Sequence, residues 1–117
     1  MPFSLKTAAR RVRVLALSFP EAYEDAPWGF PVFKVAENKM FALLGSADPL
    51  EVTVKVGAEE REIAMLLPFV RPASYVGRYG WVTVTVADDD ALETALEWVR
   101  ESYFLKAPAR LREAAFQ

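Results

Sequence analysis

The chain has no cysteine and no histidine, and only 5 glycines among 117 residues. Without cysteine there is no disulfide framework, thiol nucleophile or thiolate zinc site, a pattern that fits an intracellular, cytoplasmic protein. Without histidine, Ser-His-Asp and Cys-His catalysis, imidazole metal ligation and ordinary proton shuttling near neutral pH are excluded. An enzyme made from this chain would have to rely on carboxylates, lysine, tyrosine or arginine. The expectation is therefore a protein that is not an enzyme, with no cofactor and no metal. Long apolar runs are also missing: Lys6, Arg10, Arg11 and Arg13 interrupt the first twenty residues. Neither a signal peptide nor a membrane span is expected, and no membrane partner.

What the chain does have is apolar mass. Hydrophobic residues make up 53% and aromatics 13%, enough to build a core in a single domain over residues 1–117. The net charge of −2 gives no global attraction to polyanions. Its placement is uneven, with cations in the first twenty residues and acids at Glu21/Glu24/Asp25, Glu59/Glu60/Glu62 and Asp88/Asp89/Asp90.

The strongest strand signal is Trp81–Val86, where Val82, Val84 and Val86 alternate with Trp81, Thr83 and Thr85. Before it, Gly77 and Gly80 bracket a turn, and Ser74–Val76 reads as a short strand. Val32–Ala36, Lys39–Leu44 and Leu50–Val56 read as three strands joined by short, antiparallel connections. The first helix is capped by Ser4 and stopped by Pro20, with Leu5, Ala9, Val12, Ala16 and Phe19 on its core side. A second, Ala58–Leu67, places Ile63, Leu66, Leu67 and Val70 inside. A third, Asp89–Tyr103, buries Leu92, Ala95, Leu96, Val99 and Tyr103, and a short tail helix covers Ala109–Phe116. Pro20, Pro27, Gly29 and Pro31 predict a loop throughout 20–31, with Trp28 and Phe30 as a plug at one end of the core. The order α-β-β-β-α-β-β-α plus a C-terminal helix predicts a two-layer α+β fold. Its antiparallel sheet would have about five strands, with helices on one face.

Chemical motifs are sparse. Glu21, Glu24 and Asp25 lack EF-hand spacing and read as solvated loop acids. The Asp88–Asp90 run suits a helix N-terminus better than a metal. Gly77 and Gly80 lack both the G-x-G-x-x-G and the Walker spacing. Lys6, Arg10 and Arg13 recur at helical spacing. They form either a solvated flank or a ridge that contacts phosphates.

Several runs, in order, resemble the YjbR/MmcQ family of small bacterial proteins. They are Pro27-Trp28-Gly29, Pro31-Val32-Phe33-Lys34-Val35, Lys39-Met40-Phe41-Ala42, Val70-Arg71-Pro72-Ala73-Ser74-Tyr75, Trp81-Val82-Thr83-Val84 and Glu101-Ser102-Tyr103. One departure follows Tyr103: the chain reads Phe104-Leu105-Lys106-Ala107-Pro108, where family members often carry Leu-Val and a Leu-Pro-Lys terminus. The resemblance implies a CyaY-like or secretion-chaperone-like α+β fold and, for some members, DNA binding through a double-wing arrangement of strands. On that basis Lys6, Arg10, Arg13, Lys34, Lys39, Lys55, Arg71, Arg78 and Trp81 are the expected nucleic-acid contacts. Trp28, Tyr75 and Tyr79 are further aromatics that would stack if exposed. The alternative is a protein-interaction or chaperone-like domain using the open sheet face, with Phe33, Phe41, Thr53, Tyr75 and Trp81 as its surface. Monomer and homodimer both remain open.

Overall fold

The computed structural model describes residues 3–74 and 77–115, without the side chains of residues 46, 47, 78, 114 and 115. Helix α1 (Leu5–Ser18) leads into strands β1 (Ala22–Asp25), β2 (Val32–Val35), β3 (Lys39–Ala47) and β4 (Leu50–Lys55). Helix α2 (Ala58–Ala64), strand β5 (Val70–Pro72), a 3-10 turn (Gly77–Tyr79) and strand β6 (Trp81–Val86) follow, then helices α3 (Asp89–Lys106) and α4 (Ala109–Ala115). The fold is α+β, with one antiparallel sheet in the order β1-β2-β3-β4-β6-β5.

Two layers arise from the alternation in β4 and β6. Leu50, Val52 and Val54 pair with Val86, Val84 and Val82, and all six are buried beneath the helices. Helix α3 starts where the Asp88 carboxylate accepts the Ala91 N–H at 2.8 Å, and lays Leu92, Ala95, Leu96, Val99 and Tyr103 on that face. Helix α1 begins at Ser4, whose hydroxyl accepts the Thr7 N–H at 3.3 Å. Its buried residues Ala8, Val12 and Ala16 are small, which allows close packing beside α3.

Between β2 and β3 the register shifts: Phe33 pairs with Ala42, but Lys34 pairs with Met40. Phe41 is the extra residue of a bulge, and the bulge rotates its ring into the helix-side core. There it meets Tyr103 edge-on at 5.3 Å, while Phe19 stacks on Tyr103 at 4.5 Å. Ser102, fully buried on α3, closes the defect: its hydroxyl donates to the Phe41 carbonyl and accepts the Lys55 N–H at 3.0 Å. Tyr103 donates to the Pro20 carbonyl at 2.8 Å. These contacts give the Ser-Tyr pair at the end of the long helix its structural role.

Several expectations need correction. The sheet has six strands rather than about five, because 22–25 is a strand and not loop. Val70–Pro72 is a strand that was not expected; of the strand expected at Ser74–Val76, Ser74 lies in a turn and Tyr75 and Val76 lie outside the described residues. Helix α2 ends at Ala64, which is its buried residue; Ile63 within it and Leu66 beyond it are 59% and 83% exposed rather than buried. Helix α3 runs three residues past Tyr103, to Lys106. The tail helix is described to Ala115, so its predicted end at Phe116 lies outside the described residues.

Candidate nucleic-acid interface

The outer sheet face is not bare. Alternation places Val32, Leu43, Thr53, Thr83 and Trp81 on the side away from the helices. Val32 is nevertheless fully buried, and the Thr53 and Thr83 hydroxyls share a buried hydrogen bond at 2.8 Å. Trp81 is 6% exposed, so it is core on this face and no stacking platform, contrary to expectation. The protein-surface candidates change for the same reason: Phe33 and Phe41 lie in the helix-side core, Thr53 is buried, and Tyr75 lies outside the described residues.

The 26–31 loop shapes what remains open. The Asp25 carboxylate accepts the Ala26 N–H at 2.8 Å, the Gly29 N–H donates to the Ala26 carbonyl at 3.2 Å, and Gly29 takes a φ of +88°. That left-handed turn is where glycine is needed. It leaves Trp28 63% exposed, 6.0 Å from the Phe30 ring. Trp28 is therefore an exposed ring and not the plug expected from its flanking prolines. Trp28 and Phe30 border a groove of about 540 Å³ on the outer face, together with Met40, Leu43, Ala73 and Arg71. Phe30 also lines a second groove of about 590 Å³, whose other wall carries Lys6, Arg10 and Arg13. The loop thus joins the cationic flank of α1 to the outer sheet face.

The remaining expected contacts divide. Arg13 is held by Glu24 through two hydrogen bonds of 2.9 and 3.0 Å. Arg71 contacts Glu51 and donates to the Thr85 hydroxyl at 3.3 Å. The Lys34 ammonium, on a side chain only 12% exposed, donates to Asp25 at 2.9 Å and to Asn38 at 2.6 Å. The Lys34 hydrogen bond, reinforced by the Ala26 amide, holds the Asp25 carboxyl below its ordinary range. Lys6 and Arg10 have no ion pair among the described residues. Lys39 and Lys55 lie apart from both grooves, at the start of β3 and the end of β4. The Arg78 side chain lies outside the described residues, whereas Tyr79 is exposed.

The residues that sequence reasoning missed are Phe30, Met40 and Leu43 of the groove. Met40 and Leu43 reach the outer face because the bulge at Phe41 falls between them, a break that alternation alone does not show. Elsewhere, Glu101 accepts the Gly57 N–H beside Glu60, and burial followed by the Glu60 charge pushes its carboxyl up. Among the described residues, no three acidic side chains gather to hold a metal ion, and no helix is long and apolar enough to cross a membrane.

No curated protein matches the chain. A crystal structure of a protein from Pseudomonas syringae aligns with a TM-score of 0.62 at 19% identity, over 84% of this chain and 97% of that one. The likeness extends to the fold. A model of the YjbR family matches residues 17–105, a span that includes the sheet, the 26–31 loop and the Ser102–Tyr103 pair, and the chain belongs to that family.

Proposed function

We propose that this YjbR-family chain is a non-enzymatic, cytoplasmic module that binds single-stranded DNA across the 26–31 loop. The observation that carries the reading is the shared wall at Phe30. It joins the groove of Lys6, Arg10 and Arg13 to the outer-face groove edged by the exposed Trp28. A strand following that path places its phosphates on the α1 cations and a base on Trp28. Charge and stacking are the two requirements for single-strand binding. Arg13 and Arg71 contribute only by exchanging Glu24 and Glu51 for phosphate, so Lys6 and Arg10 are the principal contacts.

Fluorescence anisotropy with labelled single-stranded and duplex DNA, across about 50–200 mM salt, tests this. Lys6→Ala with Arg10→Ala should flatten the salt slope by about 0.7 per cation removed. Trp28→Ala should cost about 1–3 kcal/mol of binding and leave the slope unchanged. Absence of binding at the lowest salt refutes the reading. A protein partner is the second reading, favoured by Ile63 and Leu66, which stand exposed at the end of α2. A double change to serine there should abolish partner capture while leaving DNA binding intact.

A further inference from the structure

The outer-face groove beside Trp28 contains one charged pair. Leu43, Thr53, Thr83 and Arg71 stand in register across β3, β4, β6 and β5, so all four share the outer face. Thr53 and Thr83, buried and bonded to each other, lie at the floor of the groove, with Trp28 and Phe30 along its border. Glu51 and Arg71 also line it, and they are the charged residues among its lining. Arg71 donates to Glu51 and to the Thr85 hydroxyl, which uses two of its five N–H donors. Among the described residues, Arg71 is the partner of the Glu51 carboxylate, and the Glu51 side chain is 22% exposed. Spare acceptor and donor capacity therefore sit side by side in an aromatic-edged groove. We propose that the groove selects a guanine base: Glu51 accepts from its N1 and N2 groups, and Arg71 donates to its O6.

The inference rests on the single-strand reading of the same loop and adds to it the identity of the stacked base. The Glu51 and Arg71 charges cancel, so the groove offers no net attraction to a phosphate and suits a neutral, polar ring. Its volume of about 540 Å³ is in the range of small-ligand sites. Stacking on Trp28 is available to every base and gives no preference by itself. The base edge supplies the preference. Guanine alone places two adjacent N–H donors beside an oxygen acceptor on its Watson–Crick edge, which matches a carboxylate next to a guanidinium. Thymine sets one donor between two acceptors, and an acceptor facing Glu51 leaves the carboxylate unpaired. Adenine and cytosine each bring one amine to Glu51 and fill half of the contact. The floor hydroxyls of Thr53 and Thr83 already engage each other, which leaves the reading of the base to the charged pair. Because that pair stays intact, Arg71 takes no part in phosphate binding, and the cations of α1 keep that task.

The test is fluorescence anisotropy with labelled thymidine strands, each carrying one central guanine, hypoxanthine, adenine or cytosine, at one fixed low salt concentration. A single guanine per strand avoids guanine self-association. The guanine strand should bind about tenfold tighter than the all-thymine strand. Hypoxanthine, which lacks the N2 amine, should bind about fivefold more weakly than guanine. Glu51→Gln breaks a surface ion pair that contributes little to folding, and it should bring the guanine-to-thymine ratio close to one. Equal affinity for the guanine and all-thymine strands, or an unchanged ratio in the Glu51 variant, overturns the proposal and leaves strand binding standing. If no strand binds, the single-strand reading falls, and titrations with guanosine and thymidine monophosphates, followed by NMR, then decide the groove on their own. Saturable shifts of the Thr53 and Thr83 amides with guanosine monophosphate alone support it as a nucleotide site, and equal or absent shifts overturn it.

Discussion

Replacing Ser102 with alanine removes one oxygen and strands two backbone groups. The Phe41 carbonyl and the Lys55 N–H face each other across the β3 bulge, and each has the Ser102 hydroxyl as its partner. Ser102 itself is fully buried. An orphaned buried polar group costs about 1–3 kcal/mol. With both groups affected and some relaxation of the bulge, Ser102→Ala should lose about 2–4 kcal/mol. Domains of this size hold about 5–15 kcal/mol in all. Urea denaturation should show a lower midpoint at unchanged slope, with the melting temperature down by roughly 10 °C. The matched control is Thr94→Ala, which removes an exposed hydroxyl bonded to the Asp90 carbonyl at 3.1 Å. That loss should stay within about 0.5 kcal/mol. Hydrogen exchange gives the site-specific readout, because the Lys55 amide should lose protection in the Ser102 variant. If the two variants cost the same, or the Lys55 amide stays protected, the bridge does not carry the bulge and the reasoning fails.

Three further outcomes follow from the same geometry. Ala36 sits at a φ of +53° opposite Glu21 at +58°, so Ala36→Gly should relieve left-handed strain and stabilise the fold by about 0.5–1 kcal/mol; a lower urea midpoint would contradict this. The tryptophans should separate in thermal melts: Trp81→Ala costs about 3–5 kcal/mol, whereas Trp28→Ala, on an exposed ring, stays below about 1 kcal/mol. The third outcome concerns acid. Arg110 donates to Glu21 at 2.6 and 3.2 Å, and that hydrogen bonding lowers the Glu21 pKa. A depressed carboxyl stabilises fully above its unfolded value and loses that contribution as pH falls through the folded one. Amide exchange in α4 should therefore accelerate at acid pH, after correction for intrinsic rates, and Glu21→Gln should reproduce the effect at neutral pH. Unchanged exchange in that variant would show that the Glu21 pair does not hold the helix, leaving that role to contacts such as Leu111 in the core and Arg112 over the Phe104 ring.

The helix layer was legible because its signals are periodic and redundant. Asp88 before Ala91, and Leu92-Ala95-Leu96-Val99-Tyr103 after it, point to a single helix. Strand β1 was hidden because four residues are too few to establish a period, and three of them are exposed. Its neighbours Pro20 and Pro27 argue for loop, and only pairing with β2 overrides them. Phe41 shows another limit: strict alternation cannot anticipate an inserted residue whose carbonyl is bonded from a helix sixty-one positions later. The α1 cations were legible as a ridge. Their neighbours were not, because the neutralising partners Glu24, Asp25 and Glu51 come from other strands or from distant register positions.

The two ends of the sheet bear on how the molecule meets others. Strand β1 has only four residues, and Glu24 and Asp25 put two acidic groups on it. Strand β5 has three and finishes on Pro72, which has no N–H to offer. Short, charged or proline-bearing borders resist the addition of a foreign strand. Growth of the sheet from copy to copy is disfavoured at both margins, so a visitor must approach through side chains, by way of the grooves.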